Sequence, residues 1–238
     1  PLNEHVGVDL PGDRLELPDE LLTDGMALFF GVPDSGKSPE EPVLRNGEGA
    51  GASRVRSPCV IRDTGGYKMW YEGYWGREEI IHATSGDGKA WQPYAHCSPV
   101  VSWSWEENLT GSPSVIKDDQ GVYHMWYSYC VGGYGDGTWH IGYARSIDGR
   151  NWERYEGNPV IANDEINAGL KGVTVAERDG RYHLWASGPG ITYATSDNGI
   201  DWEMHGGIDF EGEDRGWIAG PSVTVHNGTF ILAYNRNI

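Results

Sequence analysis

Basic side chains are scarce in this sequence: eighteen Lys and Arg stand against thirty-five Asp and Glu, a formal net charge of −17 with His neutral. A field of that sign repels phosphate backbones and anionic membrane surfaces, so nucleic acid and bilayers are not expected partners. The acidity is read mainly as keeping a Trp-rich surface soluble. Long apolar runs are missing as well. No stretch approaches the ~18 residues of a membrane span, and no charged-then-apolar leader opens the chain. Cysteine is reduced to Cys59, Cys97 and Cys130, an odd number without metal-type spacing, which leaves room for one bridge at most. Compartment and oligomeric state stay open.

What the sequence has in quantity is glycine, tryptophan and tyrosine: 35 Gly, 11 Trp and 13 Tyr against 4 Phe and 4 Met. That balance favours strands and turns over helices. At 238 residues the chain fits a single all-β domain with a real core.

One polar knot ending in Trp occurs three times, as SGDGKAW (85 to 91), SIDGRNW (146 to 152) and SDNGIDW (196 to 202). Each knot follows an apolar run: EEIIHATS (78 to 85), WHIGYARS (139 to 146) and GITYATS (190 to 196). Each of these follows another, GYKMWYEG (66 to 73), VYHMWYSY (122 to 129) and GRYHLWASG (180 to 188). A third precedes it, SPCVIRDTGG (57 to 66), SPSVIKDDQG (112 to 121) and GVTVAERDG (172 to 180). With a short segment after Trp91, Trp152 or Trp202, every repeat holds four short strands. Asp-Gly and Asn-Gly pairs at the joints supply the positive φ of tight hairpins. The knot is therefore scaffold, its Ser and Asp tying backbone amides and its Trp packing between sheets.

The two ends share a fourth repeat. AGPSVTVHNG (219 to 228) matches a first strand and TFILAYN (229 to 235) a second, while MALFFGVPDSGKSPEEPVL (26 to 44) lines up with residues 140 to 161, its knot reduced to Asp34, Ser35 and Gly36. Repeated four-stranded antiparallel sheets at this spacing predict a β-propeller closed by strands from both termini. The count gives four blades in one domain over 1 to 238, with 1 to 25 as an extension packed on it. Five blades are the alternative.

One rim carries the long connections, and they hold the candidate chemistry. Trp75, Trp103, Trp105, Trp139, Trp217, Tyr74 and Tyr134 alternate there with Arg54, Arg56, Glu106, Glu107, Lys171, Asp214 and Arg215. Flat aromatic faces beside charged groups suit sugar rings, which stack through C–H faces and bond through hydroxyls. A carbohydrate or other small polar molecule is the expected ligand. The loop tryptophans serve either that site or loop packing. Trp70, Trp126 and Trp185 are assigned to the core, as are Trp91, Trp152 and Trp202. His124 and His183 are expected to face solvent, and His82 and His140 to pack ordinarily. No His or Cys set has transition-metal spacing, and no metal is assigned. Asp136, Asp164 and Asp214 carry the hard oxygens that a Ca²⁺ in the channel would use.

The succession Ser-Pro-x-Val-Ile, Tyr-x-Met-Trp-Tyr, Ile-x-Tyr-Ala-x-Ser-x-Asp-Gly-x-x-Trp resembles the propeller glycosidases of families 43, 32 and 130. The knot is similar to a shortened sialidase Asp-box. The resemblance extends over 45 to 238 and the strands at 26 to 44. It implies a five-bladed relative with catalytic carboxylates at first-strand mouths, typically Asp before Pro and Glu in a Glu-Gly-Pro-like motif. Here those mouths read Ser57-Pro58, Ser112-Pro113, Gly172-Val173 and Ala219-Gly220-Pro221, without a carboxylate.

Glycoside cleavage needs two carboxyls about 5 to 9.5 Å apart. Glu106 or Glu107, with Asp214 across the ring, is the candidate catalytic pair. Arg54, Arg56, Trp75, Trp105, Tyr134, Lys171, Arg215 and Trp217 are the candidate substrate-binding residues. Glycosidase-like hydrolysis is one reading. The others are a non-hydrolytic binding propeller and a propeller enzyme of another reaction type, a lyase, isomerase or cyclase.

Overall fold

The computed structural model describes residues 9–10, 13–14, 44, 52–74, 76, 78–94, 109–131, 138–162, 172–187, 190–208, 217–226 and 228–237. Among them there is no helix, and so none long and apolar enough to cross a membrane. A two-residue-strand hairpin, β1 (Asp9–Leu10) and β2 (Asp13–Arg14), comes first. The first repeat is β3 (Arg54–Asp63), β4 (Gly66–Tyr74), β5 (Glu78–Ser85) and β6 (Gln92–Tyr94). The second is β7 (Leu109–Lys117), β8 (Tyr123–Val131), β9 (Thr138–Ser146) and β10 (Glu153–Arg154). The third is β11 (Val173–Arg178), β12 (Arg181–Ser187), β13 (Ile191–Ser196) and β14 (Glu203–Ile208). A hairpin of β15 (Trp217–His226) and β16 (Thr229–Asn237) follows.

Each repeat pairs its strands antiparallel in chain order. The all-β class and the four-stranded repeats thus match the sequence reading. Repeats one and two are joined by a single parallel bridge, Glu78 to Leu109. Among the described residues no sheet closes on itself. The expected contribution of residues 26 to 44 to a fourth repeat lies outside the described residues, apart from half-buried Leu44 against the Met69, Tyr71 and Ile81 cluster.

The knots fold as their residue types dictate. Asp148 Oδ1 accepts the amides of Arg150 and Asn151 at 2.8 Å each, and Ser146 Oγ accepts that of Gly149 at 2.8 Å. Asp87 with Ser85, and Asn198 with Ser196, repeat the pattern. Gly88, Gly149 and Gly199 hold φ of 76, 77 and 74°, a region that L side chains avoid.

Two kinds of bond fasten one repeat to the next. The indole N–H of Trp70 donates to the Gly149 carbonyl of the second knot, and that of Trp126 to the Gly199 carbonyl of the third, at 2.8 Å each. Deeper in, the first strands β3, β7, β11 and β15 lie against one another in succession. There Cys59 Sγ accepts the Val115 amide at 3.2 Å, Ser114 Oγ that of Val175 at 2.8 Å, and Thr174 Oγ1 that of Val223 at 3.2 Å. Cys59, Ser114 and Thr174 occupy one structural position, each opposite the second-strand Trp of its own repeat. Burial pushes the Cys59 thiol up to about 11, so it serves as a packed acceptor and not as a nucleophile.

Trp70, Trp126 and Trp185 are fully buried, as expected of core residues. The expectation that His124 and His183 face solvent is corrected. His183 is buried, its ring 4.6 Å from Phe230 of the next hairpin, and Nδ1 lies 2.7 Å from Tyr193 Oη. His124 stacks beside Trp126 and Tyr143, with Nδ1 2.6 Å from Tyr143 Oη. An aromatic ring from the neighbouring repeat covers each imidazole, Tyr182 in the case of His124.

Candidate functional site

Three of the first-strand mouths carry a backbone distortion. Proline has no N–H for the ladder, so each Ser-Pro or Gly-Pro pair is accommodated by a bulge: between Arg56 and Cys59, Gly111 and Ser114, and Ala219 and Ser222. The residue before each proline holds a positive φ, 50° at Ser57, 46° at Ser112 and 59° at Gly220. For a serine this conformation costs ~1 to 3 kcal/mol. The third repeat has Val173 in place of the proline and pairs without a shift.

At the mouth of repeat one, the bulge leaves Arg56 directly opposite Glu72 on β4. The guanidinium bridges two carboxylates: Nε donates to Glu72 and Nη2 to Glu78 at the start of β5. Both glutamates are 5 % exposed while half of the Arg56 side chain meets solvent. Glu79 is also buried. Burial, followed by the neighbouring Glu78 charge, pushes the Glu72 carboxyl up to about 7 against the pull of Arg56 and of the donating Ser112 amide. Glu72 is therefore divided between its protonated and ionised forms near neutral pH. A side chain at Gly111 would collide with its carboxylate, so the glycine makes room for the acid. Beside this group the Arg54 guanidinium lies 4.3 Å over the Tyr74 ring.

The structure brings Arg54 and Arg56 together on this mouth, both with partners from the protein itself. Trp217 opens β15, its backbone paired with Asn237. Trp75, Trp105, Glu106, Glu107, Tyr134, Lys171, Asp214 and Arg215 lie outside the described residues, as do Trp103, Asp136 and Asp164. Among the described residues no group of three or more His, Cys, Asp or Glu is arranged to hold a metal ion. Cys59 is packed between the first two repeats, Cys130 is buried, and Cys97 is outside the described set.

Sequence reasoning missed Glu72 and Glu78. The signal was present in the aligned repeats, where Glu72 occupies the position two after the core Trp that holds Ser128 and Ser187 elsewhere. It also missed the state of His82, fully buried between Trp70 and Tyr94 with neither ring nitrogen hydrogen-bonded. Burial, helped by Lys68 and Arg150, pushes this imidazole down to about 4. At the far ends of the first strands Asp63 meets Lys68 at 3.0 Å, Lys117 at 2.5 Å and the Tyr123 hydroxyl, a set that ties repeats one and two together.

No family model matches the chain. Two uncharacterised proteins of Mycobacterium tuberculosis are 28% identical over 223 residues, 83% of this chain and 72% of theirs. Among solved structures, a family 32 β-fructofuranosidase of Bombyx mori superposes with a TM-score of 0.64 at 17% identity, covering 76% of this chain. Exo-inulinase from Aspergillus awamori gives 0.61 at 17% over 76%, and sucrose-6-phosphate hydrolase from Lactobacillus gasseri 0.62 at 15% over 76%. The chain spans 41, 43 and 40% of the length of those three proteins. At these identities the likeness is one of fold: the repeats are assembled as in the β-propeller of glycoside hydrolases.

Proposed function

We propose that this protein hydrolyses a glycoside at the first-strand mouths, and that its fold is a four-bladed propeller whose last blade is shared by the two ends of the chain. The observation that supports the reaction is the Arg56, Glu72 and Glu78 group on the fold of a glycosidase. Cleavage passes through an oxocarbenium-like state that requires a proton for the leaving oxygen and negative charge near the anomeric carbon. Glu106 or Glu107 with Asp214 supplies the reacting pair, one giving the proton and the other the negative charge. Beside them the Arg56, Glu72 and Glu78 group, in which Glu72 titrates near pH 7, adds negative charge that favours the cationic sugar. Arg54, Arg56, Trp75, Trp105, Tyr134, Lys171, Arg215 and Trp217 hold the sugar.

The test is a panel of nitrophenyl glycosides and natural oligosaccharides. Release of nitrophenol or reducing sugar is expected, and its loss in Asp214→Asn and in Glu106→Gln or Glu107→Gln. Binding of a glycan without release, unchanged in all three variants, overturns hydrolysis in favour of a binding module.

A further inference from the structure

In repeats two and three a second-strand histidine and a third-strand tyrosine form a hydrogen-bonded pair beside the core Trp. His124 Nδ1 lies 2.6 Å from Tyr143 Oη, and His183 Nδ1 lies 2.7 Å from Tyr193 Oη. Each tyrosine stands directly across the ladder from its Trp, Tyr143 from Trp126 and Tyr193 from Trp185. Repeat one has exchanged both members. Lys68 takes the histidine's place two residues before Trp70, and His82 takes the tyrosine's place across from it. Lys68 turns to repeat two instead, donating to the Tyr123 hydroxyl at 2.6 Å and to the Asp148 carbonyl at 2.9 Å. His82 is left 1 % exposed, with neither ring nitrogen hydrogen-bonded.

The second knot closes over this imidazole. His82 stacks on Tyr94 of β6 at 5.8 Å and tilts against Trp70 at 5.4 Å. Arg150 of the knot lies 4.1 Å over the Tyr94 ring, the Trp70 indole donates to the knot's Gly149 carbonyl, and Trp152 meets Trp70 edge-on. The charged groups bearing on the ring are Lys68 on β4 and Arg150 and Asp148 in the knot. Two of the three are cations. Against burial, the amides of Asn151 and Arg150 hold Asp148 well below the usual carboxylate range. Asp63, which pairs with Lys68, is held low in the same way by Lys117, Tyr123 and Lys68. Neither carboxylate changes charge in mild acid, whereas an imidazole released to water does.

A second proton on the buried ring finds no acceptor, and it sets a third positive charge beside two others. Lifting the knot removes both penalties, because it gives the ring to water and parts it from Arg150. We propose that His82 is an acid-operated latch: its protonation releases the second knot from Trp70 and Tyr94 and opens that side of the junction between repeats one and two. The knot can move as a unit, since Asp148 and Ser146 bond its own amides. The mouth end of the same junction, with Glu72 and the Glu78 to Leu109 bridge, stays closed in this motion. The released ring binds its proton near 6.5 and the covered one only near about 4, so mild acid draws the latch open by mass action. Tyr143 and Tyr193, whose hydroxyls burial pushes up, stay neutral in acid, and the other repeats have no such latch.

Indole hydrogen exchange on the full-length chain, labelled with ¹⁵N-tryptophan and assigned by Trp→Phe replacement, reads the latch. Trp126 makes the same bond to the third knot, so the ratio of the Trp70 rate to the Trp126 rate cancels the intrinsic effect of pH on exchange. That ratio should rise on the order of tenfold from pH 6.5 to pH 5. In His82→Phe, which keeps a ring but cannot gain a proton, it should stay flat. An unchanging ratio in the unaltered chain, a rise that persists in His82→Phe, or both rates rising together as the whole fold is lost overturns the latch. Should His82→Phe fail to fold, the ¹⁵N shifts of the His82 ring in the unaltered chain decide. Protonation in step with Trp70 release upholds the latch, and protonation with Trp70 still protected refutes it.

Discussion

The indole N–H of Trp126 lies 2.8 Å from the carbonyl oxygen of Gly199, seventy-three residues onward in the next repeat. Trp126→Phe keeps most of the ring's packing and leaves that buried carbonyl unbonded, which is expected to cost about 1 to 2 kcal/mol. Gly199→Ala adds a methyl 2.6 Å from the same ring on a residue with φ of 74°, and should cost more. Urea unfolding of the two variants checks the order.

His82 and Glu72 give the fold opposite responses to acid. The imidazole is neutral when folded down to about 4, whereas an unfolded one takes up a proton near 6.5. Its contribution is complete above 6.5 and is lost as pH falls toward 4. The Glu72 carboxyl keeps its proton up to about 7 when folded and releases it above about 4.5 when unfolded. Acidification from 7 to 4.5 therefore favours the fold through this residue. Each effect is on the order of 2 to 3 kcal/mol. Between pH 7 and 5 these two effects largely offset each other in the unaltered protein, so acid should lower the stability of Glu72→Gln and raise that of His82→Leu relative to it. Melting temperatures across that range test all three.

Arg56→Ala leaves Glu72 and Glu78 side by side with no guanidinium between them. Loss of roughly 2 to 4 kcal/mol is expected at pH 8, as for a buried ion pair robbed of one member. Less is lost at pH 5.5, where Glu72 is protonated. The double variant Arg56→Ala/Glu72→Gln should recover part of the difference at pH 8, measurable by denaturant midpoints.

Ser57 holds φ at 50° immediately before Pro58. Ser57→Val places a branched side chain in that region and should destabilise by about 1 to 2 kcal/mol, whereas Ser57→Gly should be nearly neutral. Calorimetric melting of the pair distinguishes backbone conformation from side-chain contact as the reason for serine there.

The knots were legible in the sequence because their bonds are local: Asp148 and Ser146 reach amides two and three residues onward. The core tryptophans were legible because they recur at one position of the repeat. The environment of His183 was not, since the ring that buries it, Phe230, comes from the next hairpin. Nor was the group at the mouth. Arg56 and Glu72 are sixteen residues apart and meet only because a bulge sets the register of β3 on β4. The depressed His82 is a similar case, its loss of charge arising from burial and from Lys68 and Arg150 rather than from neighbours in the chain.

Repeats one and two share a single ladder bridge, Glu78 to Leu109, and otherwise adhere through side chains. Cohesion is thus strong within each sheet and modular between sheets. Mechanical pulling on such an assembly should release sheets one after another rather than in a single rupture, because one backbone bridge joins the first two while each sheet is laced by its own ladders.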